Sequence, residues 1–174
     1  LLIKEDGILA GVELAKEIFH TFDPEMELEV FKQDGSAVKK GDVVFIVTGK
    51  SRSILSTERL VLNFMQRMSG IATRTHALTE MISSTKTKLL DTRKTTPLIR
   101  FLEKWAVTIG GGYNHRFGLY DMIMLKDNHI DGAGGISHAI SSTKKYLAER
   151  NLDLKIEVET RNLNEVKQVL HEGG

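Results

Sequence analysis

From Thr87 onward the chain alternates short apolar runs with amphipathic stretches, and that alternation restricts the fold more than any other feature. Lys88-Leu89-Leu90-Asp91 reads as a strand. Pro97 to Ile109 reads as a helix, with Thr96 as N-cap, Pro97 at the first helical position and Gly110-Gly111-Gly112 as terminator. Leu98, Phe101, Leu102, Trp105, Ala106 and Ile109 make its expected buried face. There follow a strand at Met122 to Leu125, a helix at Ile136 to Glu149 and a strand at Leu154 to Thr160. The last helix opens at Asn162, carries Glu165 three residues later as a capping box does, and stops at Gly173-Gly174. Strand–helix repeats of this kind build a parallel sheet or barrel, in which ligands sit at the carboxyl ends of the strands.

The first 50 residues follow a different rule. Met26, Leu28 and Val30 alternate with Glu27 and Glu29, Asp34-Gly35 is a turn pair, and Gly41-Asp42 launches the apolar run Val43 to Val47. Gly11 to Phe22 reads as a short helix with Val12, Ala15, Ile18 and Phe19 on one side, giving a small α+β unit. Its Asp-Gly and Val-Lys-Lys-Gly-Asp pattern also resembles the hairpin of biotinyl/lipoyl carrier domains, without the lysine at a hairpin tip that such domains modify. After Ser56 and Thr57 the spacing turns helical, with Val61, Phe64, Met65, Met68, Ile71, Ala72, Leu78 and Ile82 on one stripe. The methionines in it read as core packing. Gly70, inside the stripe, is expected to mark a bend or a close backbone approach.

Charge enters the argument by position. Formal net charge is +1, which argues against a general nucleic-acid or membrane-surface role. The run Val43 to Val47 is too short to span a bilayer, and no charged-then-apolar signal segment opens the chain, so the default compartment is the cytoplasm. There is no cysteine, hence no disulfide scaffold and no thiolate zinc site. The chain also reads as cut at both ends, beginning inside an apolar run at Leu1-Leu2-Ile3.

Three times the chain leaves apolar residues and at once offers cations or hydrogen-bonding groups: Thr92-Arg93-Lys94-Thr95-Thr96, Asn114-His115-Arg116, and Lys126-Asp127-Asn128-His129. An Arg fork matches a carboxylate with two parallel bonds and Lys supplies a point charge for phosphate, so the pattern suits a polyanion pocket. Gly-rich backbone before His115 and Arg116 is one way such anions are approached. Lys126 shares a strand face with Met122 and Met124 and, pointed inward, needs a ligand or a carboxylate such as Glu159 as partner. Glu157 and Glu159 are either the wet face of an edge strand or carboxylates attending a cation inside a barrel. Arg93, Lys94, Lys126 and Glu159 all fall at strand ends and are expected to converge. His20, His76, His138 and His171 read as surface or packing residues, and no HxxxH or HExxH spacing occurs. His129 serves either the site or the loop, and Gly132, Gly134 and Gly135 precede a helix start that is a weak anion-site candidate.

The strings KEDGILAGVELA, ERLVLNFMQRMSGIATRT, LLDTRKTTP, LEKWAVTIGGGYNHRFGLYD, MLKDNHI and KIEVET, in that order, resemble the quinolinate phosphoribosyltransferase family, also called nicotinate-nucleotide pyrophosphorylase (carboxylating). Departures are small: Leu98 stands where a Gly is usual, and Trp105 where Tyr is common. The resemblance implies an α/β fold, with a partial N-terminal α/β sandwich domain at 1–66 followed by part of an open, TIM-like α/β barrel at 67–174. It implies transfer of phosphoribose from phosphoribosyl pyrophosphate to quinolinate with decarboxylation, giving nicotinate mononucleotide, CO2 and pyrophosphate, with Mg²⁺, in a homodimer or larger assembly. It further implies that Arg93, His115, Arg116 and Lys126 line the dicarboxylate pocket, and that Thr92 and Lys94 contact substrate. Glu159 would lie near the ribose and metal, with Lys126 and Glu159 the catalytic pair, and Arg59 would be supplied by the partner subunit. The protein ligands of the metal are left open. A related transferase using another heterocyclic acid is the nearest alternative.

Overall fold

One helix of 31 residues, Ser51–Met81, organises the first half of the chain in the computed structural model, which describes residues 1–173. Two compact units divide the chain, Leu1–His115 and the remainder from Arg116. In the first unit the order is β1 (Gly7–Ile8), α1 (Val12–Phe22), β2 (Glu27–Val30), β3 (Ala37–Val38), β4 (Phe45–Thr48), α2 (Ser51–Met81) and α3 (Arg100–Ile109). β1 pairs with β3 and β2 with β4, both antiparallel, with Leu28 opposite Val47 and Val30 opposite Phe45.

The expected alternation holds in β2, where Glu27 and Glu29 are exposed and Leu28 and Val30 turn inward beside buried Met26. Val12, Ala15 and Phe19 of α1 are buried at helical spacing, and Phe19 meets Phe45 edge-on at 6.0 Å between ring centroids. Val61 and Met65 complete this cluster from α2. Met68 and Ala72, one and two turns on, belong to a second cluster with Ile8, Ala10 and Ala106.

Polar residues of α2 have a second task. The Ala10 N–H donates to Ser69 Oγ at 2.9 Å and the Ile8 N–H to Thr73 Oγ1 at 2.9 Å. Four helical residues rise about 6 Å and two extended residues about 6.6 Å, so hydroxyls at i and i+4 match alternate amides of the chain beside them. The edge of β1 is thereby closed by a helix.

Several expectations need correction. α2 starts at Ser51, earlier than the Ser56-Thr57 signal, because Ser53 and Thr57 are buried and hydrogen-bonded: Ser53 Oγ donates to Asp23 at 2.6 Å and Thr57 Oγ1 to the Ser53 carbonyl at 2.8 Å. Gly70 does not interrupt the helix and admits no close neighbour, since a Cβ there would meet nothing within 4 Å. The close approach is at Gly110, where a Cβ would stand 2.4 Å from the Ala72 carbonyl oxygen. The glycine-rich turn therefore serves helix packing. Lys88 to Asp91 is not a strand but a single parallel bridge, Leu90 to Tyr113. The ladder stops there because the next amides are committed elsewhere, Gly112 N–H to the Val107 carbonyl and His115 N–H to Asp91 Oδ1.

α3 begins at Arg100, three residues after Pro97. Thr96 donates both its N–H and its hydroxyl to Glu103, so its hydroxyl does not cap the helix, and Leu98 takes a left-handed φ of 68°. Leu98 and Phe101 are exposed, whereas Ala106 is buried and Leu102, Trp105 and Ile109 pack against the second cluster.

The second unit runs β5 (Ile123–Leu125), α4 (Asp127–Ala133), α5 (Ile136–Glu149), β6 (Ile156–Val158) and α6 (Leu163–Glu172). β5 and β6 are parallel, with Ile123, Met124 and Leu125 opposite Ile156, Glu157 and Val158, as the strand–helix alternation predicts. Leu125, Ile130, Ile136, Ala139 and Ile140 form its core. The Asn162 side chain accepts from Asn164 and Glu165 N–H, as expected of an N-cap, but Glu165 reaches back one residue further, to the Arg161 N–H at 2.6 Å. Gly173 ends α6 at φ 68°, and Gly174 lies outside the described residues. No helix of the described residues is long and apolar enough to cross a membrane.

Candidate functional site

Within the first unit, residues 91–96 form a loop whose shape is set by side chains of α3. The Arg100 guanidinium donates to Thr95 Oγ1 at 3.1 Å and to the Arg93 carbonyl at 3.4 Å. Glu103 accepts from the Thr96 N–H at 2.9 Å, the Thr96 hydroxyl at 2.8 Å, and the Arg67 Nε and Nη2 at 2.9 and 2.6 Å. Burial pushes the Glu103 carboxyl up, but the Thr96 N–H, the Arg67 guanidinium and the Thr96 hydroxyl together outweigh it and hold the group below its ordinary value. Thr92 Oγ1 accepts the Lys94 N–H at 3.1 Å, which tightens the turn between them.

Lys104, one residue along the helix, makes an ion pair with Asp91 in which the two side chains are 3% and 7% exposed. The same ammonium donates to the His115 carbonyl at 3.0 Å, and the His115 N–H donates to Asp91 Oδ1 at 2.8 Å. With the Asn114 side-chain amide assigned by its surroundings, so that its nitrogen faces these acceptors, it donates to Asp91 Oδ2 at 2.6 Å and to the Lys104 carbonyl at 2.9 Å. One buried pair thus ties the segment carrying Arg93 to the segment carrying His115.

Arg93 itself is half-buried, and its Nε is fully buried with no hydrogen-bond partner among the described residues. An unmet buried N–H costs about 1–3 kcal/mol, and a carboxylate is the group that satisfies a guanidinium best. Lys94 is exposed beside it. Arg59 lies on the exposed side of α2 near Leu55 and Leu60, which are also exposed, and it makes no ion pair among the described residues.

In the second unit, Lys126 follows β5 directly and Glu159 follows β6, at the carboxyl ends of adjacent parallel strands. They meet as the sequence suggested, Nζ to Oε1 at 3.5 Å, with both side chains about half exposed. The Lys126 N–H donates to His129 Nδ1 at 3.0 Å, so His129 shapes the start of α4. Arg116 Nη2 lies 3.3 Å from the Met124 sulfur.

Sequence reasoning singled out Arg93, Lys94, His115, Lys126 and Glu159 and passed over Arg100, Glu103 and Lys104, whose side chains shape the loop of residues 91–96 and tie it to His115. The available signal was the spacing of small residues: Ala106 and Gly110 mark the packed side of α3, and Glu103 precedes Ala106 by three positions on that side.

The quinolinate phosphoribosyl transferase N-terminal domain matches residues 1–69, and the C-terminal domain of the same family matches residues 71–174. The chain belongs to the quinolinate phosphoribosyl transferase family. It is 53% identical over 169 residues to the chloroplastic nicotinate-nucleotide pyrophosphorylase [carboxylating] of Arabidopsis thaliana, covering 97% of this chain and 48% of that protein. A mitochondrial quinolinate phosphoribosyltransferase [decarboxylating] of Nicotiana tabacum is 50% identical over the same length, with the same coverage. The crystal structure of NadC from Streptococcus pyogenes superposes with a TM-score of 0.90 at 41% identity, over 97% of this chain and 60% of that one. The chain spans about half the length of the curated relatives it matches. Its fold is the expected α/β one, an N-terminal domain followed by part of a barrel-like domain.

Proposed function

We propose that the complete protein transfers phosphoribose from phosphoribosyl pyrophosphate to quinolinate and decarboxylates the product, yielding nicotinate mononucleotide, CO2 and pyrophosphate. Family membership and the names of the relatives support this reading. The observation in the structure that favours it most is the orphaned, buried Nε of Arg93 beside exposed Lys94, a donor arrangement that an aromatic dicarboxylate would complete.

On this reading Arg93, His115, Arg116 and Lys126 bind and orient the quinolinate dianion, Thr92 and Lys94 contact substrate, and Arg59 comes from the partner subunit of a homodimer. Orientation converts attack of the ring nitrogen on the anomeric carbon into an effectively unimolecular step. As pyrophosphate departs, positive charge builds on the ribose, and the Glu159 carboxylate stabilises it. The positive charge of the pyridinium nitrogen then stabilises the electron pair left on the adjacent ring carbon as its carboxylate departs as CO2, and that carbon takes up a proton to give nicotinate mononucleotide.

Mg²⁺ belongs to this proposal as a companion of phosphoribosyl pyrophosphate. Such ions are held largely by substrate phosphates and water with one or two carboxylates. That suits a chain in which, among the described residues, no group of three or more His, Asp or Glu side chains gathers, and in which Glu159 is the candidate oxygen donor. The domain boundary at 66/67 and a cytoplasmic compartment complete the reading. Tracking a tagged full-length protein separates the cytoplasm from the chloroplast or mitochondrion named for the plant relatives.

The deciding assay is release of CO2 from quinolinate by the full-length protein with phosphoribosyl pyrophosphate, with nicotinate as control acid. Release from another heterocyclic acid in preference to quinolinate would transfer the reaction to that substrate. In the same protein Arg93→Ala is expected to raise the quinolinate Kd by about tenfold to a hundredfold with little change in melting. An unchanged Kd by calorimetry removes Arg93 from the pocket.

A further inference from the structure

Neither Lys104 nor Asp91 is itself a candidate ligand contact, yet the pair is fastened to the segments that carry Arg93 and His115. Asp91 immediately precedes Thr92-Arg93-Lys94, and its carboxylate receives the Lys104 ammonium, the His115 N–H and the Asn114 amide. Lys104 receives no help from solvent and spends a second N–H on the His115 carbonyl. His115 is therefore held from both of its backbone groups, N–H to Asp91 and C=O to Lys104.

Buried ion pairs add little net stability, because desolvation offsets most of the attraction, so stability alone is a poor reason for this one. What such a pair does well is admit a single arrangement, since any displacement leaves a buried charge uncompensated. Between the backbones of these segments, Asp91 N–H donates to the Tyr113 carbonyl and Tyr113 N–H to the Leu89 carbonyl. The side-chain network adds to the single Leu90–Tyr113 bridge the ties that reach His115 itself.

We infer that Lys104, Asp91 and Asn114 are positioning residues that set the distance between Arg93 and His115 for a rigid planar dicarboxylate. The inference rests on the functional reading above and adds to it three residues that act through the segments they hold. Displacement of a binding group by about 1 Å is enough to cost a hundredfold in productive geometry.

Two variants of the full-length protein test it. Asp91→Asn with Lys104→Met removes both charges at similar volume, and Asn114→Ala, at an exposed position, removes only the amide and leaves the pair. In both, the KM for quinolinate is expected to rise about tenfold or more, with the KM for phosphoribosyl pyrophosphate and the melting temperature held. Hydrogen exchange at the His115 amide should quicken in step. Asn114→Ala carries the test alone if the double variant does not fold. An unchanged quinolinate KM alongside a freed His115 amide overturns the inference, and so does an equal rise in both KM values, which marks general loosening. Absence of quinolinate turnover in the wild-type protein overturns the functional reading, and this inference with it.

Discussion

Two ion pairs, one in each unit, are built on opposite plans. Lys104 and Asp91 are shut away from water and share their remaining bonds with the backbone of His115 and the side-chain amide of Asn114. Lys126 and Glu159 meet at 3.5 Å at the ends of β5 and β6, with both side chains half exposed. A buried pair holds one geometry and cannot easily be opened. An exposed pair is held together by less than about 1 kcal/mol, so either partner can turn to a substrate. The first plan suits scaffolding and the second suits chemistry.

The comparison breaks most visibly at Lys104. Lys104→Ala strands the Asp91 carboxylate in the interior and should destabilise the protein by about 3–5 kcal/mol, read as a large fall in melting temperature. A drop no greater than that of a surface variant would mean that water reaches the pair and the two plans are not distinct.

A smaller effect is expected at Glu103, which sharpens the buried half of the comparison through pH. Its carboxyl is held below the ordinary value, so the unfolded chain takes up the proton first as pH falls. The stabilisation is complete above about pH 4.5, the ordinary value, and is lost as pH drops toward the depressed folded value. Glu103→Gln should flatten the acid limb of a melting-temperature profile while leaving the exposed pair's behaviour alone. An acid limb identical to wild type removes Glu103 as its source.

The smallest stability change belongs to Lys126→Ala, at about 0–1 kcal/mol, accompanied by severe loss of quinolinate turnover. Large destabilisation here would show the exposed pair to be structural after all.

How far the sequence speaks for itself depends on the range of the interaction. Asn162 capping α6, the alternation in β2 and the bounds of α5 were legible because each is decided within a few residues. So was the position of Arg93 and Lys94 after an apolar run. The start of α3 was misjudged because Thr96 and Pro97 make a good local helix signal, yet Glu103, seven residues away, claims the Thr96 donors. Lys104 was invisible for a similar reason: its partner is 13 residues distant and a helical lysine is ordinarily solvated. Gly70 and Gly110 exchange roles because only the packing of α3 on α2 says which glycine has a neighbour.

That packing gives α3 the character of a lever. Its fulcrum is Gly110, pressed against the Ala72 carbonyl, and its working arm carries Lys104, six residues back and about 9 Å along the axis. A methyl group added at the fulcrum would tilt the arm and carry the ammonium, and with it the His115 carbonyl, off station. The placing of the His115 segment thus depends on a hydrogen atom on Gly110, six residues away from the lysine that holds it.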